Sequence, residues 1–517
     1  MSNRSIRALY RGLTRLASRC WVLFVLTCLA QPSFAASLTE SVDTIFGAMN
    51  TGISAVVFFP IGWANNPDHN IPLIVLVLAL GCIGFSLYFK FAQVRLFKHA
   101  LQVIRGKYDD PEDIGEITSF QALSSALSAT VGLGNIAGVA VAISLGGAGA
   151  IFWMWVMAFF GMGMKFTECT MAMMYRKVDS KGHVLGGPMV YLSAGFARQY
   201  SHRSWHIAGT VLAIVFAIAT ILGSLGGGNL FQSNQSYQLV ANQIPFFERN
   251  PLAFGLIIAG LSGAVIIGGI QRIGQLTSAL VPAMCGFYCI ICLFIIGSNV
   301  AQVPQMFASI FSSAFSMEAG FGGFIGILVA GVKRAAFSNE AGLGSSAIAH
   351  SAAKTKEPVR EGIVAMLEPF IDTLLVCTMT ALAILITGAH LNSDVAGIEI
   401  TAQAFRSVHP SLAVFLTIAA VVFAFSTLVS WSYYGERAAE YLGGSKAVLP
   451  FKMVFVGFAL VAPIVSLEQA ITFSEIMILM LGFPNIIGLI FIAKQIKPLL
   501  ADYQSRLNTG AMPFLKK

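Results

Sequence analysis

A glycine-rich stretch interrupts an otherwise apolar segment between residues 119 and 146. Gly132, Gly134 and Gly138 lie within Ala126–Val139, together with an asparagine and hydroxyl residues. Each glycine costs about 1 kcal/mol of helix stability relative to alanine. Backbone at membrane depth can leave the helix only where protein or a wet cavity covers it. The stretch therefore predicts a broken helix that binds a solute and an ion, as in secondary transporters.

Such a break frees different backbone groups on its two sides. Amides at the start of the outer half-helix suit a carboxylate, and carbonyls at the end of the inner half-helix suit a hard cation such as Na⁺. The glycine spacing also resembles a dinucleotide-binding turn, but the preceding strand and following acidic residue of that motif are missing. Close packing of helices through small residues is the other alternative. It suits Gly138 but gives no reason for Asn135.

Two later segments carry groups that suit the same solute site. The adjacent hydroxyls of Ser426 and Thr427 could complete an oxygen cage for Na⁺, although hydroxyls in spans often bond back to their own helix. Trp431, one turn later, is either a wall of the pocket or a residue of the interfacial aromatic belt. Asn229 and Gln232 offer uncharged hydrogen bonds to a zwitterion, or else cap a helix at the outer surface.

Few ionisable residues lie inside the apolar segments. A charge at the bilayer centre costs at least about 2.5–3.5 kcal/mol, so each such residue needs a partner. Lys165 and Glu168 are three residues apart and are predicted to pair on one helix. Glu340 is predicted to join the neighbouring Lys333 and Arg334 in an inner gate. Two further buried acids, Glu368 and Asp372, remain without a predicted partner.

Catalytic and metal-binding motifs are missing from the sequence. It contains no HExxH, no P-loop and no nucleophilic serine or cysteine with a base, so it does not predict an enzyme. Cys285, Cys289 and Cys292 have a spacing similar to that of a metal site, but no histidine or carboxylate accompanies them. The cysteines are therefore interpreted as buried small apolar residues, and no cofactor is predicted besides a coupling sodium ion.

The composition defines the class of protein. Of the 517 residues, 56% are hydrophobic and 11% are charged, whereas soluble domains carry about 25% charged residues. The mean hydropathy is +0.76. We therefore expect an all-α polytopic membrane protein with about eleven transmembrane helices and no nucleic-acid partner. These predicted spans, named A to K, are A 72–91, B 119–146, C 148–175, D 207–229, E 252–270, F 275–297, G 318–349, H 362–388, I 411–434, J 449–467 and K 472–494.

The charges predict the topology. Lys and Arg are abundant in the loops on one side of the spans, whereas only Arg249 and Arg406 lie in loops on the other side. By the positive-inside rule the rich side is cytoplasmic, and so is the C-terminus. Residues 1–35 combine arginines, a short apolar run and small residues, which is typical of a cleavable signal peptide. An uncleaved anchor is the alternative, but about eleven apolar residues are too few to span a bilayer.

The predicted spans form two related units. Span B contains the glycine break, and span G, five spans later and opposite in direction, begins and ends with glycine runs. Two five-helix units of opposite orientation are the inverted repeat of many transporters. The predicted segments are 1–35 signal peptide, 36–71 extracytoplasmic amphipathic segment, 72–118 first transmembrane helix and basic cytoplasmic connector, 119–297 first five-helix repeat, 298–494 second five-helix repeat and 495–517 cytoplasmic tail.

The same motifs resemble the alanine or glycine:sodium symporter family. The resemblance covers nearly all residues from 85 to 494, and its run Phe337–Gly344 is highly specific. It implies the fold of the bacterial leucine transporter with one extra N-terminal helix, and Na⁺-driven uptake of a small neutral amino acid. The segments that carry it are Gln121–Gly138, Gly186–Tyr191, Arg334–Ser345, Ala349–Lys354 and Trp431–Glu436.

The resemblance also implies roles for individual residues. The implied sodium ligands are the carbonyls of Ser128 and Val131 with Ser426 and Thr427. The residues implied to line the substrate are Thr130, Gly132, Leu133, Gly134, Asn135, Gln232, Thr427 and Trp431, with the amides of Leu133 and Gly134 directed at its carboxylate. The sequence departs from the family pattern at Leu133, where many members have threonine, and at Ser430, which is often glycine. Both departures lie at the predicted pocket and bear on which amino acid fits.

The sequence as a whole predicts a multi-pass protein of a bacterial-type inner (plasma) membrane. Its predicted function is sodium-coupled symport of alanine or glycine by alternating access, with the amino acid, Na⁺ and the lipid bilayer as its partners. A carrier of the same fold for another amino acid or a proton-coupled solute is the first alternative. A channel-like or sensory membrane protein is the second. Stoichiometry, D/L preference, oligomeric state and physiological direction do not follow from the sequence.

Overall fold

The computed structural model describes residues 32–62, 70–110, 112–180, 182–266, 269–316, 320–392 and 394–512. Most of the predicted signal peptide lies outside the described residues, and its last four residues belong to the first described helix. The elements before the second repeat are helices α1 Pro32–Val57, α2 Leu73–Tyr88, α3 Ala92–Arg95, α4 Phe97–Ile104, α5 Ser119–Thr130, α6 Ala137–Gly146, α7 Gly149–Tyr175, α8 Pro188–Gln199, α9 Arg203–Leu225, α10 Phe231–Gln243, α11 Pro245–Arg249, α12 Pro251–Ile266 and α13 Gly269–Ser298.

The second half of the described chain is also helical. Its helices are α14 Val303–Ala314, α15 Gly320–Asn339, α16 Ser346–His350, α17 Pro358–Ala365, α18 Leu367–Pro369, α19 Thr378–Thr387, α20 Ile398–Val408, α21 Pro410–Gly443, α22 Val448–Val461, α23 Leu467–Leu479, α24 Gly482–Ile492 and α25 Ile496–Asn508. Two short antiparallel ladders complete the described structure: β1 Pro60–Ile61 with β2 Ile71–Pro72, and β3 Lys177–Val178 with β4 Val184–Leu185.

The distribution of side chains is that of a membrane protein. Large apolar residues such as Val211 and Ile218 on α9 and Ile290 on α13 point outward, whereas Asn135 and Lys165 are fully buried. Such an extended apolar exterior fits hydrocarbon rather than water. Six helical runs of the described chain are long and apolar enough to cross a membrane, and the bent pair at the first break makes a seventh. The prediction of an all-α polytopic membrane protein is confirmed.

The number of eleven crossings remains a prediction. Helices α2 and α12 are apolar but have only 16 residues each, fewer than the roughly 20 needed for a perpendicular span. Two of the long runs, Pro410–Ile464 and Leu467–Asn508, each contain more than one helix. Every predicted span nevertheless coincides with helix in the described residues.

The predicted break in span B is present. Helix α5 begins with a capping box in which Thr118 accepts from the amide of Gln121, and the Gln121 side chain accepts from the amide of Thr118. It ends at Thr130, where the glycines begin, and a 3₁₀ turn at Leu133–Asn135 leads into α6. The two halves are bent by 56°, so the span is broken where glycine makes helix least favourable.

Span G is broken near its end. Its first glycine run lies in the continuous helix α15, whereas Glu340, Gly342 and Gly344 have positive φ values of 55°, 93° and 75°. The chain resumes as the short helix α16. Glycine tolerates these left-handed conformations and Glu340 does so at a cost. The second interruption is thus at the specific Phe337–Gly344 run.

Span D extends beyond its predicted end at residue 229. A π-helical turn, Gly226–Leu230, joins α9 to α10 without interrupting the helix. The polar sequence after the glycines suggests an end, but the wider π turn accommodates them, and such turns are frequent at functional sites. Gln232 consequently lies within a buried helix and does not cap one at the surface.

The two broken helices lie side by side at the centre of the bundle. Helix α15 packs against α6 and α7, and the 3₁₀ turn of the first break contacts α15. Helix α21 packs against α5, α9, α10 and α13. The first break is therefore surrounded by helices from both predicted repeats, which cover its backbone completely.

Candidate functional site

Reciprocal hydrogen bonds join the end of α5 to the middle of α21. The hydroxyl of Thr427 donates to the carbonyl of Ser128 at 2.9 Å, and the hydroxyl of Ser128 donates to the carbonyl of Ser426 at 2.8 Å. All three residues are fully buried. The structure thus brings these predicted sodium ligands together, with Val131 buried one turn further along. Oxygen atoms of this kind suit a hard cation.

Side chains cap the amides at the break. The carboxamide oxygen of Asn135 accepts from the Gly132 amide at 3.0 Å, and that of Gln232 accepts from the Leu133 amide at 3.0 Å. Gln232 also donates to the carbonyl of Gly227 at 3.1 Å, which fixes its orientation on the π turn. Gln232 therefore reaches the first break, as predicted from the sequence.

The role of Asp372 becomes visible only in the fold. Asn135 donates to an oxygen of the Asp372 carboxylate at 2.6 Å. The other carboxylate oxygen accepts from Ser338 at 2.8 Å and from Thr373 at 2.7 Å. All four side chains are buried. A carboxylate thus holds the asparagine that caps Gly132, and it joins the first break to α15 and to a π-helical segment, Phe370–Cys377.

Trp431 is a buried residue between the π turn of span D and Glu340, and not a residue of the membrane interface. It is 1% exposed, and its indole donates to the carboxylate of Glu340 at 3.1 Å. A Cβ on Gly228 would collide with its ring, so the π turn of span D packs directly against it. Tyr434 meets the ring edge-on at 5.3 Å between centroids.

Other predicted site residues make different contacts. The hydroxyl of Thr130 bonds back to the carbonyl of Ala126 at 3.2 Å. A Cβ on Gly134 would lie 3.6 Å from Phe337 and Ser338, which places this glycine beside the second broken helix. Asn229 donates to the carbonyl of Phe455 at 2.6 Å, away from the break.

The buried charges pair differently from the sequence prediction. Lys165 bonds Glu368 at 3.0 Å and not Glu168, whose carboxylate accepts from the Gly344 amide at 3.1 Å and from Asn485 at 2.6 Å. The i,i+3 rule considers only one helix, whereas the closer partner of Lys165 lies on another.

The predicted inner gate also needs correction. Lys333 and Arg334 both pair with Glu475 on α23, whereas Glu340 binds Ser345 and Trp431. The turn to a positive φ at Glu340 separates its side chain from the two basic residues on α15, so neighbours in sequence have different partners.

Sequence reasoning missed Ser338, Asp372 and Asn485 as members of these networks. Asn485 donates to Glu168 and to the carbonyl of Gly342 at 2.9 Å, so it supports the second break. The only available signal was that each polar residue lies in an apolar run. That signal marks a buried polar contact but not its partner.

A broken helix capped by side chains, beside a second broken helix in a polytopic bundle, defines a secondary transporter. The sequence matches the sodium:alanine symporter family over residues 56–517. This chain belongs to that family, whose members are transporters and not enzymes.

Individual relatives match over most of their length. The sodium/alanine symporter AgcS of Methanococcus maripaludis is 41% identical over 425 residues, which are 81% of this chain and 91% of the relative. The probable sodium/glutamine symporter GlnT of Bacillus subtilis is 34% identical over 460 residues, 88% of this chain and 93% of the relative. A crystal structure of MhsT in complex with L-phenylalanine aligns with a TM-score of 0.47 and 14% identity, covering 73% of this chain and 98% of that one.

Replacement of Gly132 tests the tight fit of the break. A Cβ there would lie 2.5 Å from the Thr427 hydroxyl and 3.0 Å from the Gln232 oxygen, so Gly132→Ala should lower Na⁺-driven uptake in proteoliposomes at least tenfold. Gly138→Ala is the matched control, because nothing lies within 4 Å of a Cβ at that position. Equal activity of the two variants would contradict the tight geometry.

Replacement of Asp372 tests whether its carboxylate organises the break. Asp372→Asn weakens the charge-assisted bond to Asn135, so we expect the half-saturating concentrations of Na⁺ and solute to rise at least tenfold, equivalent to about 1.4 kcal/mol. Asp394→Asn, in a loop and exposed, should leave both concentrations unchanged. A variant with unaltered concentrations of both would exclude this role for Asp372.

Proposed function

We propose that this protein is a sodium-coupled symporter of alanine or glycine, which it carries across the plasma membrane by alternating access. The observation that carries the proposal is the first break itself, where oxygen ligands for a cation and capped amides for a carboxylate lie within one short segment. Family membership supports sodium and a small amino acid as the transported pair.

The proposed sodium site is formed by Ser128 and Val131 on one side and Ser426 and Thr427 on the other. The existing bonds between the two sides support it, because they hold the oxygens within hydrogen-bond distance of one another. Binding of Na⁺ would turn the Thr427 hydroxyl so that its oxygen faces the ion. An ion bound here would link α5 to α21. The inner half of span B could then move away from α21 only after the ion had left.

The proposed substrate site adjoins the proposed sodium site, since the Thr427 hydroxyl and the Gln232 oxygen both lie within 3.0 Å of a Cβ built on Gly132. The Gln232 oxygen occupies the position that a carboxylate oxygen of the solute would take at the Leu133 amide. We infer that the solute displaces it, and that Gln232 then turns to the bound zwitterion. Thr130, Gly132, Gly134, Asn135 and Thr427 complete this proposed lining.

The pocket walls favour a small solute. Trp431 is held in place by Glu340 and by its packing on Gly228, so its ring is a fixed boundary. Leu133 is fully buried and its side chain offers no hydrogen bond. Both features favour a short apolar side chain such as the methyl group of alanine.

Coupling follows from the shared segment. Sodium and the solute would both stabilise the closed arrangement around one break, so each should increase the affinity for the other. Entry of one sodium ion at −100 mV supplies about 2.3 kcal/mol before its concentration gradient is counted. The cytoplasmic C-terminus, the signal peptide and the 5+5 repeat boundaries belong to the same proposal.

Glutamine is the second candidate solute, because a relative at 34% identity is named a probable sodium/glutamine symporter. Its longer side chain would have to fit beside Trp431, which we propose as a wall of the pocket.

Transport by purified protein tests the proposal directly. Labelled alanine should accumulate in proteoliposomes with an inward Na⁺ gradient and should not do so when K⁺ replaces Na⁺. Unlabelled glycine should compete more strongly than glutamine. Accumulation that is independent of Na⁺ would exclude the coupling, and stronger competition by glutamine would favour the second candidate.

A pair of threonine variants tests the sodium site. Thr427→Ala removes one proposed ligand, so we expect the half-saturating Na⁺ concentration to increase at least tenfold, with partial recovery in Thr427→Ser. Thr417→Ala is the control on the same helix, since its hydroxyl bonds back to the Ala413 carbonyl at 2.9 Å. An unaltered Na⁺ dependence in Thr427→Ala would remove this residue from the site.

A further inference from the structure

A second buried cluster lies beyond the proposed solute site, around the short helix α16. Both ring nitrogens of His350 face carboxylates: Nδ1 lies 2.6 Å from Glu361 Oε1, and Nε2 lies 2.7 Å from Glu368 Oε1. All three side chains are fully buried. We name Glu361, His350 and Glu368 the histidine triad. The proposed transport site does not include it.

Counting hydrogens shows what the triad must contain. Each short nitrogen–oxygen contact needs one hydrogen between the two atoms, but a neutral imidazole has a single N–H and an ionised carboxylate has none. The arrangement with two such contacts therefore holds one additional proton.

The outer oxygens of the two acids also have hydrogen-bond donors. Glu368 Oε2 accepts from the ammonium of Lys165, which can only donate, at 3.0 Å. Glu361 Oε2 accepts from Ser119 at 2.7 Å. Imidazole is more basic than a carboxylate, and the Lys165 ammonium stabilises Glu368 as an anion, so the proton belongs on the ring of His350 as an imidazolium.

Charge balance supports the presence of the additional proton. An imidazolium and Lys165 carry two positive charges, which match the two carboxylates of the triad. Loss of the proton would leave an uncompensated negative charge in a fully buried site, which is strongly unfavourable. The other titratable or charged groups that face the cluster from neighbouring elements are Glu168, Cys169 and Arg176 on or just after α7, Glu340 at the second break and Tyr434 on α21.

A metal ion fits the cluster less well. Cys169, His350 and Glu368 are close enough to share one, but the imidazole already directs both nitrogens at carboxylate oxygens. A ligand histidine needs a free lone pair on one nitrogen.

The elements that the triad joins suggest what the proton does. Ser119 opens the inner half of the first broken helix, His350 ends the second, and Lys165 and the two acids lie on α7 and around α17 and α18. Just beyond, Ile117 pairs with Ala353, and Arg176 donates to the carbonyls of Ser351 and Thr355. This end of the bundle, predicted to be cytoplasmic, is closed.

We propose that the histidine triad is a proton-binding site whose bound proton, carried by His350, holds the predicted cytoplasmic end of the transporter closed. Opening must separate Ser119 and α16 from the acids and admit water, which weakens the hold on the proton. By linkage, the proton binds more tightly to the closed state, so opening is suppressed at low pH and favoured as the pH rises.

The protonation of His350 can be measured by ¹⁵N NMR on protein with labelled histidine rings. We expect both ring nitrogens of His350 to carry hydrogen at pH 7.5, with the signal identified by its loss in His350→Gln. A neutral ring in the wild-type protein would overturn the proposal. His390→Gln removes a partly buried histidine elsewhere and should leave the signal unchanged.

The link to opening can be measured by cysteine labelling, without any transported solute. A cysteine at Ile117, which is 2% exposed, should react with a maleimide only when this end opens. The labelling rate at position 117 is divided by the labelling rate of a cysteine at the exposed Asn508. This ratio corrects for the pH dependence of thiol ionisation. Mass spectrometry identifies the labelled peptide.

The normalised rate should increase at least threefold between pH 6.5 and 8.5. His350→Gln should abolish this dependence, and His390→Gln should retain it. A flat profile in the wild-type background, or an unchanged profile in His350→Gln, would overturn the link. Neither measurement depends on which amino acid is carried, so failure of the proposed function and failure of the triad are distinguishable.

Discussion

Backbone released from a helix inside the bilayer must be satisfied by the protein, and this requirement organises the centre of the molecule. Asn135 and Gln232 take the freed amides of the first break, and Thr427 donates to the carbonyl of Ser128. At the second break, Glu168 accepts from Gly344 and Asn485 donates to Gly342. An unpaired group at this depth costs several kcal/mol, which explains why polar residues interrupt the apolar spans.

The sequence was sufficient for the fold class and for the location of the first break, because glycine propensity and hydropathy are local properties. It also drew attention to Ser426, Thr427 and Gln232, which the structure brings into contact with the first break, while their roles in binding stay a prediction. The sequence did not reveal which buried polar side chains contact one another. Lys165 binds Glu368, 203 residues away in sequence, and spacing along one helix says nothing about such partners.

The errors have physical reasons of the same kind. The predicted end of span D was too early, because a glycine triplet normally ends a helix. Here a π turn continues the helix through the glycines and places Gln232 at the first break. Glu340 was grouped with its basic neighbours because the reversal of the backbone at a positive φ is invisible in composition. The Asp372 network requires three elements to meet, which only the folded chain defines.

The two breaks differ in the kind of side chain that supports them, and the difference matches their proposed uses. Around the first break the partners are hydroxyls and carboxamides with one carboxylate, Asp372, and such neutral groups can exchange partners with Na⁺ and a zwitterion at little cost. Around the second break ionisable side chains predominate, and the nearby Lys165–Glu368 pair is fully buried, so its separation is unfavourable. A transporter needs one segment that rearranges readily when its ligands arrive and another that yields only when water enters. On this argument the neutral break senses the solute, and the charged break sets the barrier to opening.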